Sequence, residues 1–287
     1  MGIDLSPEIK QCNFDCLYCE LKGAKTVATA SNVPSIAQIH DALQEALAKF
    51  DAIDVITLTA NGEPTLYPEL DKLIDALLLL KTTQKLLILS NGSTIADPLV
   101  QKALAKLDIV KLSLDCATLL CFKKLDRAHK GIAIETIIEG MKAFRTQFNK
   151  ELVLEVLVVD GLNDTEAEFK AINRALQAIK PDRVDIGTID RPPAYPIKGV
   201  SIERLLELSE LIENVHVNIA YKKTYIPEKR HFSEQEIIEL LKRRPQSSED
   251  IRLCFDDESI KTLNDLDVAD KIYIQKIAGV EFYKVNE

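Results

Sequence analysis

Short runs of β-branched and aliphatic residues alternate with segments of helical period along most of this chain. That alternation confines it to α/β folds in which parallel strands are joined by crossover helices. Strands are expected at residues 2–5, 53–59, 86–90, 109–114, 152–159 and 184–189, and helices at 35–50, 68–80, 98–107, 132–148, 165–179 and 202–212. In the first helix Ile36, Ile39, Leu43, Leu47 and Phe50 share one face behind Ser35 as N-cap, and Asp97 before Pro98 marks the start of the third. Six βα units predict either an open doubly wound sheet or a partial (β/α)6 TIM-like barrel, and both place their sites at the carboxyl ends of strands. The segments after these strands are rich in Gly, Pro, Asn and Cys, so one mouth collects the unusual chemistry.

After Tyr225 the rhythm stops. Ser233 and Glu236 form a capping box ahead of Ile237, Ile238, Leu240 and Leu241, Ser247 and Ser259 open two further short helices, and residues 272–274 and 281–285 flank Gly279 as a hairpin. The expected division is a partial barrel at 1–224 and a small winged-helix-like domain at 225–287. A chain of 287 residues buries enough surface to fold without disulfides or a structural metal, so a metal site here would serve function. The longest apolar stretches, such as 76–80, fall far short of the roughly 18 residues a spanning helix needs. Asp4, Glu8 and Lys10 interrupt any secretory segment after Met1, and the expected location is the cytoplasm. The net charge of −9 opposes broad contact with phosphate backbones or anionic membranes. Residues 225–287 carry ten Lys or Arg against fourteen Asp or Glu, without the basic face of a DNA-binding winged helix.

The six cysteines are unevenly placed: Cys12, Cys16 and Cys19 fall within eight residues just after the first strand, while Cys116, Cys121 and Cys254 are scattered. In a reducing compartment the cluster reads as a metal site. A closed zinc site wants a fourth Cys or His, and the nearest histidine, His40, lies inside a predicted helix. Four-iron clusters normally take four cysteines, so three leave one iron with an open position for a small molecule. Cys116, Cys121 and Cys254 are read as buried thiols, with a second cluster as the alternative.

The segment CNFDCLYC, residues 12–19, resembles the CxxxCxxC signature of the radical S-adenosylmethionine (radical SAM) superfamily, including Tyr18 before the last cysteine. The resemblance implies a 4Fe–4S cluster on Cys12, Cys16 and Cys19, its open iron chelated by the amino and carboxylate groups of SAM, with Tyr18 near the adenine. Reductive cleavage of the sulfonium then gives methionine and a 5′-deoxyadenosyl radical that abstracts hydrogen from substrate. Asn61-Gly62-Glu63-Pro64, after the second strand, resembles the family's GGEP motif for the SAM amino group. Ser90 and Asn91 after the third strand, and Ser113 and Asp115 at the end of the fourth, resemble its carboxylate and ribose contacts. As bare sequence, these groups also read as turn punctuation. Glu155, mid-strand in an apolar run, is assigned to the SAM or substrate pocket and needs a partner if it faces inward. Pro192 and Pro193 would hold Arg191 over the mouth as a substrate contact for a carboxylate or phosphate, and Lys22 and Lys25 offer further cations.

Residues 2–7, the cysteine motif, GEPTLYPEL and RPPA together resemble bacterial iron–sulfur oxidoreductases related to the wyosine-synthesis enzymes, over most of residues 1–220. Those enzymes modify tRNA and carry a second cluster on upstream cysteines, whereas the eleven residues before Cys12 hold none. The expectation is a radical SAM enzyme acting on a small molecule, a protein or an RNA, with flavodoxin or ferredoxin as electron donor. A wyosine-type tRNA activity, an iron–sulfur redox regulator and a zinc-stabilised binding protein are the alternatives.

Overall fold

The computed structural model describes residues 1–50, 53–220, 229–243, 245–277 and 280–286, and the chain divides into two compact units, 1–189 with 193–220, and 190–192 with 221–287. The expected boundary at 224/225 lies outside the described residues, as does Gly279.

The first unit is a parallel sheet in strict sequence order: β1 (Gly2–Asp4), β2 (Val55–Thr59), β3 (Lys85–Ser90), β4 (Ile109–Ser113), β5 (Glu151–Val158), β6 (Arg183–Thr188) and β7 (His216–Ile219). Among the described residues nothing pairs β7 with β1, so this is a partial barrel, with one strand more than the six expected. The seventh escapes the sequence reading because its residues are only half-buried or exposed, which leaves no apolar run.

Crossovers are made by α1 (Ile36–Lys49), α2 (Leu70–Leu80), α3 (Pro98–Leu104), α4 (Leu119–Leu125), α5 (Ile134–Gln147), α6 (Glu166–Ile179) and α7 (Ile202–Ser209). Ser35 caps α1 in a full capping box and Asp97 caps α3 ahead of Pro98, as their sequences require. The short helix α4 has no counterpart in the expected series. Leu119 and Leu120 in its first turn are exposed, so its leucines mark no single apolar face, and only its N-cap Thr118 signals it.

Period-two alternation sorts the strands into two faces. Ile56, Leu58, Leu86, Ile88, Val110, Leu112, Leu154, Val156, Val184 and Ile186 are fully buried and pack with the helices. Each such burial is worth roughly 1.5–3 kcal/mol. The alternate residues, among them Thr57, Lys111, Ser113, Glu155, Arg183 and Asp185, put polar groups on the opposite face, and Ser113 and Glu155 are register partners on neighbouring strands.

In the second unit α8 (Glu234–Arg243), β8 (Gln246–Ser247), α9 (Ser248–Cys254), α10 (Asp257–Val268), β9 (Ile272–Ile277) and β10 (Val280–Val285) give the expected three helices and antiparallel pair, with β8 added in the order β8-β10-β9. Ile237, Leu241, Ile251, Phe255, Leu263 and Leu266 form its own core. Ser233 and Ser247 cap as anticipated. Ser259 does not open α10: Asp256 is the cap and accepts from the Ser259 N–H and hydroxyl.

Candidate active site

The three cysteines occupy the loop after β1, and backbone bonds pin that loop on two sides. On one side the Gln11 N–H donates to Asn61 O at 2.8 Å and the Glu63 N–H donates to Gln11 O at 2.9 Å, a parallel bridge centred on Gly62. On the other, the Asp15 N–H reaches Asp126 O at 3.2 Å and the Leu17 N–H reaches Leu125 O at 2.9 Å, tying the loop to the end of α4. The Val27 N–H donates to Cys12 O and the Ala194 N–H to Cys19 O, each at 2.9 Å or less.

Cys12, Cys16 and Cys19 are free and half-buried. Polar groups address two of the sulfurs: the Phe14 N–H at 3.4 Å and Asn91 Nδ2 at 3.6 Å both reach Cys12 Sγ, and Cys16 Sγ lies 3.9 Å from Asp126 Oδ1. Burial, with Glu63 second, pushes the Cys12 thiol up to about 12, and burial with Asp126 second pushes Cys16 well above the usual thiol range. To ionise, Cys12 and Cys16 therefore need positive charge from a bound group, because ionised sulfur is the form that ligates metal. Zinc on thiolates sets sulfurs roughly 3.8 Å apart, from metal–sulfur bonds of about 2.3 Å. The sulfurs of this trio are not gathered within 4.8 Å of one another, as a single ion would require. The donor set thus fits a larger iron–sulfur unit better than one zinc ion.

Glu63 is buried at 2% exposure, and its carboxylate is committed to its own scaffold: it accepts from Thr65 N and Oγ1, from Ser90 Oγ at 2.7 Å and from the Asn91 N–H at 2.7 Å. Pro64 opens a short 3-10 turn that Glu63 caps. Glu63 therefore welds the end of β2 to the end of β3, and Ser90 serves that bond. Asn61 is anchored by its N–H to Asp4 Oδ1 at 2.9 Å.

Tyr18, Asn91, Ser113 and Asp115 line one small cavity with Cys116 and Asp126. The Tyr18 hydroxyl donates to Asp115 Oδ2, and Asp115 Oδ1 accepts from the Leu157 N–H at 2.7 Å. Burial raises Asp115 from 3.8 to about 7, against the bonds from Leu157 and Tyr18, and burial raises Asp126 further in the same direction. In the metal-free protein, Asp115 thus keeps a proton between pH 4 and 7 that the unfolded chain has released. Its stabilising contribution is full below about pH 4 and is lost as pH rises towards 7. Denaturant unfolding of the apoprotein across that window is expected to show a falling slope that Asp115→Asn makes shallower; an unchanged slope would contradict the assignment.

Glu155 does face the polar side and does have a partner: Lys111 Nζ is 2.7 Å from Glu155 Oε1 and 3.0 Å from Asp185 Oδ2, while Arg183 also pairs with Asp185. Burial pulls the Lys111 ammonium down, and Glu155 with Asp185 more than offsets this, so its pKa lies above the usual lysine value. Arg191 belongs to the segment that groups with the second unit and lies 4.0 Å from Asp190 Oδ1, and Lys22 and Lys25 are exposed. Cys254 also lies in the second unit. Cys116 and Cys121 are buried as expected, but they are bonded to each other as a disulfide rather than standing as separate thiols, because the turn into α4 brings their Cα atoms to 5.6 Å.

Several residues here carry no motif. Asp15, buried at 8%, receives the Tyr195 hydroxyl at 2.6 Å, Arg127 at 3.2 Å and Lys10 at 3.5 Å, and Arg127 stacks over the Tyr195 ring. Asn163, wholly buried, donates to Asp115 O and Leu157 O at 2.8 Å each. Only their polarity beside apolar neighbours could have singled them out.

Comparison with known proteins gives the following. The sequence pattern of the Radical SAM superfamily matches residues 9–172. A UPF0026 protein of Helicobacter pylori (strain ATCC 700392 / 26695) is 40% identical over 286 residues, 99% of this chain and 92% of that protein. Among solved structures, a radical SAM methyltransferase from Sphaerobacter thermophilus superposes with a TM-score of 0.58 at 17% identity, covering 77% of this chain and 66% of that one. Streptococcus suis SuiB bound to S-adenosylmethionine gives 0.60 at 19% identity, over 83% and 54%. This chain spans between half and two thirds of the length of those two solved proteins, and the likeness to them is one of fold. No helix among the described residues is long and apolar enough to cross a membrane.

Proposed function

This chain belongs to the radical SAM superfamily, and on that premise we propose that it is an iron–sulfur enzyme that binds a 4Fe–4S cluster and S-adenosylmethionine at the carboxyl ends of β1 to β4 and acts on a substrate lying against the polar face of the sheet. When bound, cluster and SAM together supply one-electron cleavage of a sulfonium, delivering a 5′-deoxyadenosyl radical for hydrogen abstraction. Cys12, Cys16 and Cys19 are the residues to hold the cluster. The observation that carries this reading is the trio of free cysteines, spread too widely for one ion and fixed by backbone bonds beside the cavity of Tyr18, Asn91, Ser113 and Asp115.

The chain's own residues divide the remaining work. Gly62 lets the cysteine loop approach the Asn61–Pro64 turn, and Glu63 fixes that turn to Ser90 and Asn91. Asp115 holds the Tyr18 phenol at its oxygen and so fixes the ring that would lie near the adenine. Lys111 and Glu155 form a charged pair on the substrate side of the sheet, with Glu155 the more exposed partner, so a substrate carrying an amine or hydroxyl group suits it. Flavodoxin or ferredoxin is the proposed electron donor and the cytoplasm the proposed location.

The test is anaerobic reconstitution with iron and sulfide, then dithionite and SAM, with 5′-deoxyadenosine and methionine quantified. A four-iron load and stoichiometric release of both products support the reading. Zinc bound without iron or sulfide, or a loaded cluster that yields no 5′-deoxyadenosine, overturns it.

A further inference from the structure

Cys116 lies between β4 and α4, Cys121 lies in the first turn of α4, and Glu168 lies in the first turn of α6. Their two sulfurs and one carboxylate oxygen all fall within 4.8 Å of one another. All three residues are buried, at 0%, 6% and 6% exposure. The Glu168 carboxylate is aimed by three donors. Oε1 accepts the N–H groups of Ala117 at 2.6 Å and Thr118 at 2.9 Å, and Oε2 accepts the Thr118 hydroxyl at 2.6 Å. A carboxylate has about four acceptor positions, so one on Oε2 remains. Its donors are backbone N–H groups and a hydroxyl, and among the described residues no Lys, Arg or His forms an ion pair with it.

We propose that Cys116, Cys121 and Glu168 form a second metal site, distinct from the cysteine trio, which in its dithiol form takes one thiophilic divalent cation of the zinc class and in its disulfide form is closed. The Cys-x4-Cys spacing is one that zinc sites use. The Cα atoms, 5.6 Å apart, also let the reduced sulfurs separate to the roughly 3.8 Å of a shared ion by side-chain rotation alone. Two thiols of a reductant are oxidised to their own disulfide as the Cys116–Cys121 bond takes up two electrons and two protons. The cation then displaces both thiol protons, forming two metal–sulfur bonds, with a Glu168 oxygen as third ligand and water as fourth. The donors from Ala117 and Thr118 are the outer partners that orient the carboxylate. Occupancy fixes the residue next to Asp115, and through it the bond to Tyr18.

The experiment uses the reconstituted full-length protein, so that the trio is already filled. It is reduced with dithiothreitol or left unreduced, equilibrated with zinc sulfate, stripped of loose metal, and assayed for zinc and iron together. The reduced protein should retain about one zinc per chain with its iron unchanged, Cys121→Ser should retain none, and Glu168→Gln, which removes a ligand, should weaken zinc binding by more than the roughly 10–100-fold that loss of an outer partner costs. The unreduced protein should take none, and zinc should protect Cys116 and Cys121 from alkylation, a comparison within the wild type that stands even if a variant misfolds. Zinc taken up only as iron is lost, equal zinc in Cys121→Ser, or no zinc in the reduced wild type would each overturn the proposal.

Discussion

Replacing Cys16 with alanine is expected to abolish both the iron–sulfur chromophore and 5′-deoxyadenosine formation, to background, while leaving the fold intact. The thiol is a ligand in the proposed scheme, and a cluster held by three cysteines has no spare protein donor to lose. Its structural contacts are few: a 3.9 Å approach to Asp126 and packing against the edge of the main core. Loss of those contacts should cost on the order of 1 kcal/mol. Far-UV circular dichroism and a denaturant midpoint close to wild type, beside absent iron, would separate lost ligation from lost folding. Cys12→Ala and Cys19→Ala should behave alike, and Cys254→Ser, in the other unit, should retain full iron and product. Retention of product formation in Cys16→Ala would remove the cluster assignment altogether.

The parts of this molecule that sequence reveals are those whose signal is local. The trio stands out because its three cysteines fall within eight residues, and Ser35 and Asp97 are legible because a cap and its helix are contiguous. The two-faced strands follow from alternation that each strand carries in itself. Glu155 is an intermediate case: its position demanded a partner, but the identity of that partner, Lys111, depended on strand register. The support of the cysteine loop could not be read at all. Asp126 meets Cys16 across 110 residues and Tyr195 meets Asp15 across 180, so no periodicity joins them. Glu63 shows a further limit. Its motif resembles a cofactor contact, yet its four donors make it the weld between two strand ends, a role visible only in hydrogen-bond partners. The missed elements differ in cause: β7 has no buried residue to print a pattern, whereas α4 is only seven residues long and mixes exposed Leu119 and Leu120 with buried Cys121, Phe122 and Leu125.

Gly62→Ala should be the most damaging change outside the cysteines, because two independent demands meet at that residue. Its φ of +144° is a backbone conformation that side-chain-bearing residues rarely adopt, and an added Cβ would fall 1.8 Å from Gln11 O and 2.3 Å from Gln11 C. Those are backbone atoms of the bridge that docks the cysteine loop, so no side chain can swing away, and the loop itself must lift. The expected cost is about 3 kcal/mol or more in folding stability. For a chain of this size that lowers the melting temperature by roughly 6–12 °C. Reconstituted iron should drop sharply with it, as the cysteines lose their common platform. Gly131→Ala separates the two demands: its φ of +95° is also left-handed, but nothing lies within 4 Å of the added carbon. That variant should lose only about 1 kcal/mol through backbone strain and keep full iron. If the two variants were equally destabilised and equally loaded with iron, the close approach of Gly62 to Gln11 would not be what holds the cysteine loop in place.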